Sequence, residues 1–209
     1  MRRIAHGAGR EGKAGSAGMR IYLAGPEVFL PDALELAAAK KRVCAAHGLE
    51  GVFPLDPPPH MPPAERPYWM RIYLGNEAHI RSCGALIANL TPFRGPSADP
   101  GTVFELGFMR ALGRPVLGYS NAAADFLDRT RDFLGAAARP RADGGWEDGE
   151  GMGLEDFGLA DNLMIDGAIA AAGGVLERHA AEADRWRDLT AFARCVARLA
   201  ATVRPGIRD

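Results

Sequence analysis

Ser97-Ala98-Asp99-Pro100-Gly101-Thr102-Val103-Phe104-Glu105-Leu106-Gly107 is the stretch that decides the fold. Ahead of it runs an apolar, strand-like segment, Ala85-Leu-Ile-Ala-Asn-Leu90, and a turn-rich loop over 91–96. Behind it a helical pattern runs from Thr102 to Leu112 and stops at Gly113. Strand, loop, helix is the order in which α/β proteins build their sites, at the carboxyl ends of parallel strands. Asp99 or Ser97 can cap the helix, because both side chains accept bonds from its free N–H groups. Glu105 sits among Val103, Phe104, Leu106 and Phe108. Walled by such neighbours, a carboxylate turned toward the strand ends would be partly desolvated, which raises its pKa or leaves a more nucleophilic anion. The same position also suits an acid that merely complements the helix dipole. The local residues leave both open.

Working outward, Arg20 to Ala24 reads as a buried parallel strand, stopped by Gly25-Pro26. Pro31-Asp32 opens a helix over Ala33 to His47, with Leu34, Ala38 and Val43 as inward candidates and Gly48 closing it. Gly51 to Pro54 is a short second strand, Pro57 to Pro63 a surface loop, and Tyr68 to Ser82 a helix. Arg114 to Tyr119 makes a fourth strand. An irregular Ala-, Asp- and Gly-rich region follows to about 155, with a Gly-rich insertion near 136–155. Phe157 to Asp166 is more ordered, Ala168-Ile169 and Val175-Leu176 flank a small-residue stretch, and the tail carries Leu189, Phe192, Val196 and Leu199 at helical spacing. Alternating strands and helices imply a flavodoxin-like, doubly wound parallel sheet of four or five strands with helices on both faces. Residues 1–18 read as a disordered leader and 19–209 as one domain. The site is expected where the loops after the first and third strands meet, at Gly25-Pro26 and 91–105.

With 25 basic and 26 acidic residues, the chain has no basic surplus to favour nucleic acid. Cys44, Cys83 and Cys195 are scattered without a CxxC spacing, which suits a reducing cytoplasm and supports neither a disulfide framework nor zinc. No apolar run approaches the ~20 residues of a membrane span. A Walker A sequence, a GxGxxG after the first strand, GxSxG and HExxH are all missing, so NTPase, dinucleotide and common hydrolase readings lose their support. What remains near the strand ends is Tyr22, Asn76, Asp99 and Glu105. A phenol, an amide and two acids suit glycosyl transfer, in which one carboxylate meets C1′ and another group handles the leaving group's proton.

Four motifs in order then carry a resemblance: Tyr22-Leu-Ala-Gly-Pro26 with Phe29; Ile87-Ala-Asn-Leu-Thr-Pro-Phe-Arg-Gly95; Asp99-x-Gly101-Thr102-x-Phe104-Glu105-x-Gly107; and Asn162-Leu-Met164. Together they resemble the nucleoside 2-deoxyribosyltransferase family over roughly residues 19–176. The resemblance implies a catalytic set of Glu105 as nucleophile forming a 2-deoxyribosyl ester, Asp99 serving the base's proton, and Tyr22 orienting Glu105. It implies substrate contacts at Asn76, Gly25 and Phe29, with Asn162 and Met164 reaching the pocket from a neighbouring subunit of a homodimer or larger homo-oligomer. The implied partners are a 2′-deoxynucleoside and a free nucleobase, with neither nucleic acid nor membrane, and no cofactor or metal is implied. Relatives usually carry an acidic residue before the third strand, where this chain has Ser82-Cys83-Gly84-Ala85. His79, Cys83, Trp69 and Tyr119 read as structural. Two rival functions stand beside transfer: an N-glycoside hydrolase acting on deoxynucleosides or deoxynucleotides, and a non-catalytic nucleotide sensor. Asn162-Leu-Met164 favours the transferase over a phosphate-binding hydrolase, and a sensor gains little from an acid such as Glu105 beside the sugar.

Overall fold

Five parallel strands form the sheet in the computed structural model, which describes residues 18–203. They are β1 (Arg20–Ala24), β2 (Glu50–Val52), β3 (Ala85–Asn89), β4 (Val116–Ser120) and β7 (Leu176–Arg178), ordered β2-β1-β3-β4-β7. The order reverses between β1 and β3, where Tyr22 pairs with Leu86 and Ala24 with Ala88. This is the switch point of a doubly wound sheet, where loops diverge and leave a crevice. The expected leader lies outside the described residues except for Gly18.

Side chains alternate across each strand. Ile21, Leu23 and Ile87 pack on one face under α1 (Ala33–Ala46) and α6 (Thr190–Val203), with Cys44, Phe192, Val196 and Leu199. Tyr22, Ala24, Leu86 and Ala88 face α2 (Tyr68–Ser82), α3 (Pro100–Ala111) and α5 (Leu163–Ala171), with Ile80, Leu106, Met109 and Ile169. Burying a side chain such as Phe192 contributes about 1.5–3 kcal/mol. Gly118 lets α5 lie close on β4, since a Cβ there would stand 2.8 Å from Ile169 Cδ1 and 2.7 Å from Leu90 Cδ1.

The structure departs from the sequence reading first in α1. The inward face of α1 is Ala33, Leu36, Ala37, Lys40 and Cys44, while Leu34 is two-thirds exposed and Ala38 is exposed. A lysine in the middle of the buried face breaks the apolar period on which the reading relied. The stretch after β4 is also more regular than a long loop. It holds α4 (Phe126–Leu134) and a small antiparallel pair, β5 (Arg139–Pro140) with β6 (Trp146–Glu147). Asp128, Arg129, Arg131 and Asp132 hide the helix, and the Arg131 guanidinium lies 3.6 Å from the Trp146 ring centre. Elsewhere α3 begins at Pro100 rather than Thr102, with proline where no N–H is needed. Among the described residues no helix is long and apolar enough to cross a membrane.

Candidate active site

Tyr22 points from β1 into the α2–α3 layer and is fully buried. Its hydroxyl donates to Glu105 Oε1 at 2.7 Å. Asn76 Nδ2, from α2, donates to the same oxygen at 3.4 Å. Both bonds go to Oε1, so Oε2 is left without a donor among the described residues. Glu105 shares a pocket of about 150 Å³ between α2 and α3 with Tyr73, Asn76, Ile80, Phe104 and Phe108. Burial raises its pKa to about 7, and the negative charge of Asp99 adds to the rise against the bonds from Tyr22 and Asn76. A carboxyl of this kind is a strong base and nucleophile for its residue type, because few donors solvate its anion. Tyr22 is pushed well above its ordinary value by burial and by Glu105, so it remains a donor.

Asp99 is the N-cap of α3, and its Oδ2 accepts from Thr102 N at 2.9 Å and Thr102 Oγ1 at 3.0 Å. The capping role and proximity to Glu105 therefore coexist. The loop before it is braced by Asp161, which accepts from Ser97 Oγ and from Ala98 N. Sequence reasoning passed over Asp161, although its place beside Asn162 was a usable signal.

Gly25 and Phe29 lie on the rim formed by the segment after β1. A Cβ at Gly25 would stand 1.9 Å from Glu27 Oε2 and 2.9 Å from Asn89 Cβ, so only glycine fits. Glu27 is buried and accepts from Lys40 Nζ at 2.7 Å and Tyr119 Oη at 2.8 Å. Burial favours its neutral form, but Lys40 outweighs that and holds its pKa below the ordinary value. This triad also escaped the sequence reading; the signal was an acid inside Pro26-Glu27-Val28-Phe29, directly after a strand. Phe29 is 59% exposed and stacks on Phe93 with ring centres 5.5 Å apart.

Asn162 and Met164 lie elsewhere. Asn162 caps α5, accepting from Met164 N at 3.0 Å and donating to Glu155 Oε1. With Met164, which is 71% exposed, it borders a groove of about 680 Å³ against Val103, Leu106 and Arg110 of α3. That is a different face of α3 from the one carrying Phe104, Glu105 and Phe108. A single chain thus brings Tyr22, Asn76, Asp99 and Glu105 together and leaves Asn162 and Met164 on another surface. Volume alone would mislead, since another groove of about 420 Å³ lies by Pro115 and Val175 at the opposite end of the strands. Among the described residues, no group of three or more His, Cys, Asp or Glu is placed to hold a metal ion.

The model of the nucleoside 2-deoxyribosyltransferase family matches residues 21–164. The chain belongs to this family. An uncharacterised protein of Schizosaccharomyces pombe is 34% identical over an alignment of 167 residues that covers 74% of this chain and 78% of that protein. The structure of a 2-desoxiribosyltransferase from Leishmania mexicana is similar at 29% identity and a TM-score of 0.55, over 86% of this chain and 97% of that one. A conserved protein from Enterococcus faecalis V583, at 18% identity and a TM-score of 0.52 over 88% and 99% of the two chains, shares the fold. The family match runs from β1 to the first turn of α5, so it contains Tyr22, Asn76, Asp99, Glu105, Asn162 and Met164 and ends before β7. At Ser82-Cys83-Gly84-Ala85, Arg114 Nη1 donates to the carbonyls of Ile80, Arg81 and Cys83. These bonds tie down the end of α2.

Proposed function

We propose that this protein transfers 2-deoxyribose between nucleobases through a covalent ester on Glu105. The observation that carries the reading is the Glu105 carboxyl, half-buried, with a pKa near 7 and one oxygen held by Tyr22 at 2.7 Å. Glu105 Oε2 attacks C1′ of a 2′-deoxynucleoside as the C1′–N bond breaks, and the anion stabilises the positive charge that develops on the sugar. The electron pair of that bond leaves with the base, which takes a hydrogen bond or a proton from Asp99. A ring nitrogen of a second base then attacks C1′ from the open face and gives its N–H proton to the Asp99 carboxylate, the ester bond breaks, and Glu105 is regenerated as the carboxylate. Proton, charge and leaving group balance within the two substrates and these side chains.

Tyr22 and Asn76 fix the oxygen that does not attack. Phe29 offers an exposed ring to the base, and Gly25 keeps the rim open beside it. Asn162 and Met164 complete the site from a second subunit, a reading supported by their place at the start of α5, against a face of α3 separate from the one carrying Glu105. In this arrangement a 2′-hydroxyl has little room above Glu105, and its electron withdrawal disfavours the charged transition state.

Incubating the protein with 2′-deoxyinosine, with and without adenine, tests the proposal. Deoxyadenosine formed only when adenine is present supports transfer. Hypoxanthine and free deoxyribose formed equally in both samples would make the protein a hydrolase that uses the same ester. No reaction in either would leave a binding protein and refute the chemistry.

A further inference from the structure

The loop between β7 and α6 lies outside the segment matched by the family, yet it reaches the rim that carries Phe29. The Trp186 ring meets Phe93 edge-on, with centres 6.0 Å apart and planes at 84°. Phe93 in turn lies nearly parallel to Phe29, at 11°. The Arg94 guanidinium stands 4.5 Å from the Phe93 ring centre and 5.3 Å from that of Phe29. Edge-to-face and offset-stacked contacts of this kind are the favoured aromatic geometries.

The loop is fastened at both sides of Trp186. Arg187 Nε and Nη2 grip Asp32 with both carboxylate oxygens, at 2.7 and 2.6 Å, three residues beyond Phe29. Asn121 Nδ2, just past β4, donates to the carbonyls of Arg185 at 2.7 Å and Asp188 at 2.8 Å. The Asn121 N–H bonds Thr91 Oγ1 at 3.0 Å, which links the same anchor to the loop carrying Phe93. Phe29 is therefore held from two directions: through the rings by Trp186, and through the start of α1 by Arg187.

We infer that Trp186 and Arg187 are positioning residues for the base subsite, setting through Phe93 and Asp32 the plane on which Phe29 receives the heterocyclic base of the substrate. The inference rests on the proposed function, since it takes Phe29 to be where the base stacks. An exposed phenylalanine free to turn would lose rotamer entropy on stacking; one already braced on both sides loses less, and affinity rises. Trp186 has no bond to the reacting atoms, so removing it should weaken binding and leave the covalent step alone.

The test uses the full chain with Glu105→Gln, which cannot form the ester, and titrates 2′-deoxyinosine and thymidine by calorimetry. Adding Trp186→Ala should raise Kd about tenfold for the better ligand, and Arg187→Ala should do so to a smaller extent. Trp186→Phe, which keeps an aromatic edge against Phe93, should return Kd to within about threefold of the parent. In the active chain, Trp186→Ala should raise KM for the nucleoside while kcat changes less than twofold. Unchanged Kd in Trp186→Ala, or a fall in kcat with KM constant, would overturn the positioning role while leaving the function intact. A Glu105→Gln parent that binds neither nucleoside would overturn the function and this inference with it. If Trp186→Ala fails to fold, Arg187→Ala decides: a raised Kd and KM with kcat kept supports the role, and an unchanged Kd overturns it.

Discussion

Replacing Glu105 with glutamine should stabilise the protein, and by an amount that depends on pH. The native pKa of about 7 lies above the ordinary 4.5 because burial disfavours the anion and Asp99 repels it. Below pH 4.5 the acid is neutral in both folded and unfolded chains, so wild type and Glu105→Gln differ little. As pH rises toward 7, the unfolded chain loses its proton freely and the folded one does not. The folded state then binds more protons, and stability falls with rising pH. At about 1.4 kcal/mol per pH unit, the span from 4.5 to about 7 corresponds to about 3 kcal/mol, trimmed toward 2 by partial exposure of the carboxyl. The advantage of the variant should thus grow from near zero at pH 4.5 to about 2–3 kcal/mol at pH 8.5. Glutamine keeps an oxygen to accept from Tyr22 and Asn76, so the comparison isolates the charge. Urea unfolding of both proteins at pH 4.5, 6, 7 and 8.5 measures it, and other titrating groups cancel in the difference. A difference that stays flat within about 0.5 kcal/mol from pH 4.5 to 8.5 would refute the argument that Glu105 is held in a poorly solvated site. The same pKa should appear as the rising acid limb of kcat/KM for base exchange, near pH 7.

Glu105→Ala should lower exchange by several orders of magnitude, whereas Asp99→Asn, which can still cap α3, should slow it less; single-turnover rates with 2′-deoxyinosine separate the two, and near-normal turnover by Glu105→Ala would remove it as nucleophile. kcat/KM should be much higher for 2′-deoxyinosine than for inosine, and equal values measured side by side would sink the crowding argument at C1′. Glu105→Ala and Asn162→Ala, mixed under conditions that exchange subunits, should recover activity above either parent; no recovery despite proven exchange would show that each chain builds its site alone. Lys40→Met should destabilise the fold by about 3–5 kcal/mol in urea unfolding at pH 7 by leaving Glu27 buried without its cation, and Glu27→Gln with Lys40→Met should recover much of the loss.

The central strands β1, β3 and β4 were legible because they are buried and read as short apolar runs ended by Gly, Pro or Asn, as in Arg20 to Pro26 and Ala85 to Leu90, whereas β7, half-buried and carrying Glu177 and Arg178, was not read as a strand. α2 was legible to the residue, from Tyr68 to Ser82. Where the reading failed, charge stood in an apolar place or covered a regular element. Lys40 interrupts the inner face of α1, and four charged side chains mask α4. At the site, Glu105 and Asp99 were visible as acids at the start of a helix after a strand, and the contact between Glu105 and Tyr22 follows from strand alternation plus the switch point. Glu27 stood out only as an acid directly after β1; nothing local says that it will meet a lysine on α1 and a tyrosine on β4. Trp186 was invisible for the same reason: its partners, Phe93 and Asp32, are far away in sequence and come together only when the sheet closes.

The sheet carries two glutamate–tyrosine pairs, and the difference between them supports the proposal that Glu105 is the reactive one. Tyr119 donates to Glu27 at 2.8 Å and Tyr22 donates to Glu105 at 2.7 Å, so the phenol contributes about equally to each. Glu27 is the more deeply buried, and burial alone would drive it toward the neutral acid. Lys40 Nζ at 2.7 Å reverses that and holds the pKa below the ordinary value, giving a carboxylate that stays ionised, with Lys40 and Tyr119 both on Oε1 and Oε2 left without a partner among the described residues. Such an anion is a strut: its charge is spent on a partner, and attack on an electrophile would strand the ammonium of Lys40 in the core. Among the described residues Glu105 has the phenol and an amide but no cation, and Asp99 stands on the unfavourable side. Its anion exists at neutral pH without being neutralised, so a cationic centre brought to it, such as C1′ of a sugar losing its base, gains the stabilisation that Lys40 gives Glu27. In the proposed mechanism, the lack of such a lysine among the described residues is what leaves Glu105 free to do chemistry. A cation introduced beside Glu105 would lower its pKa, quiet the pH dependence of stability and remove the reactivity together, since all three come from the same uncompensated charge.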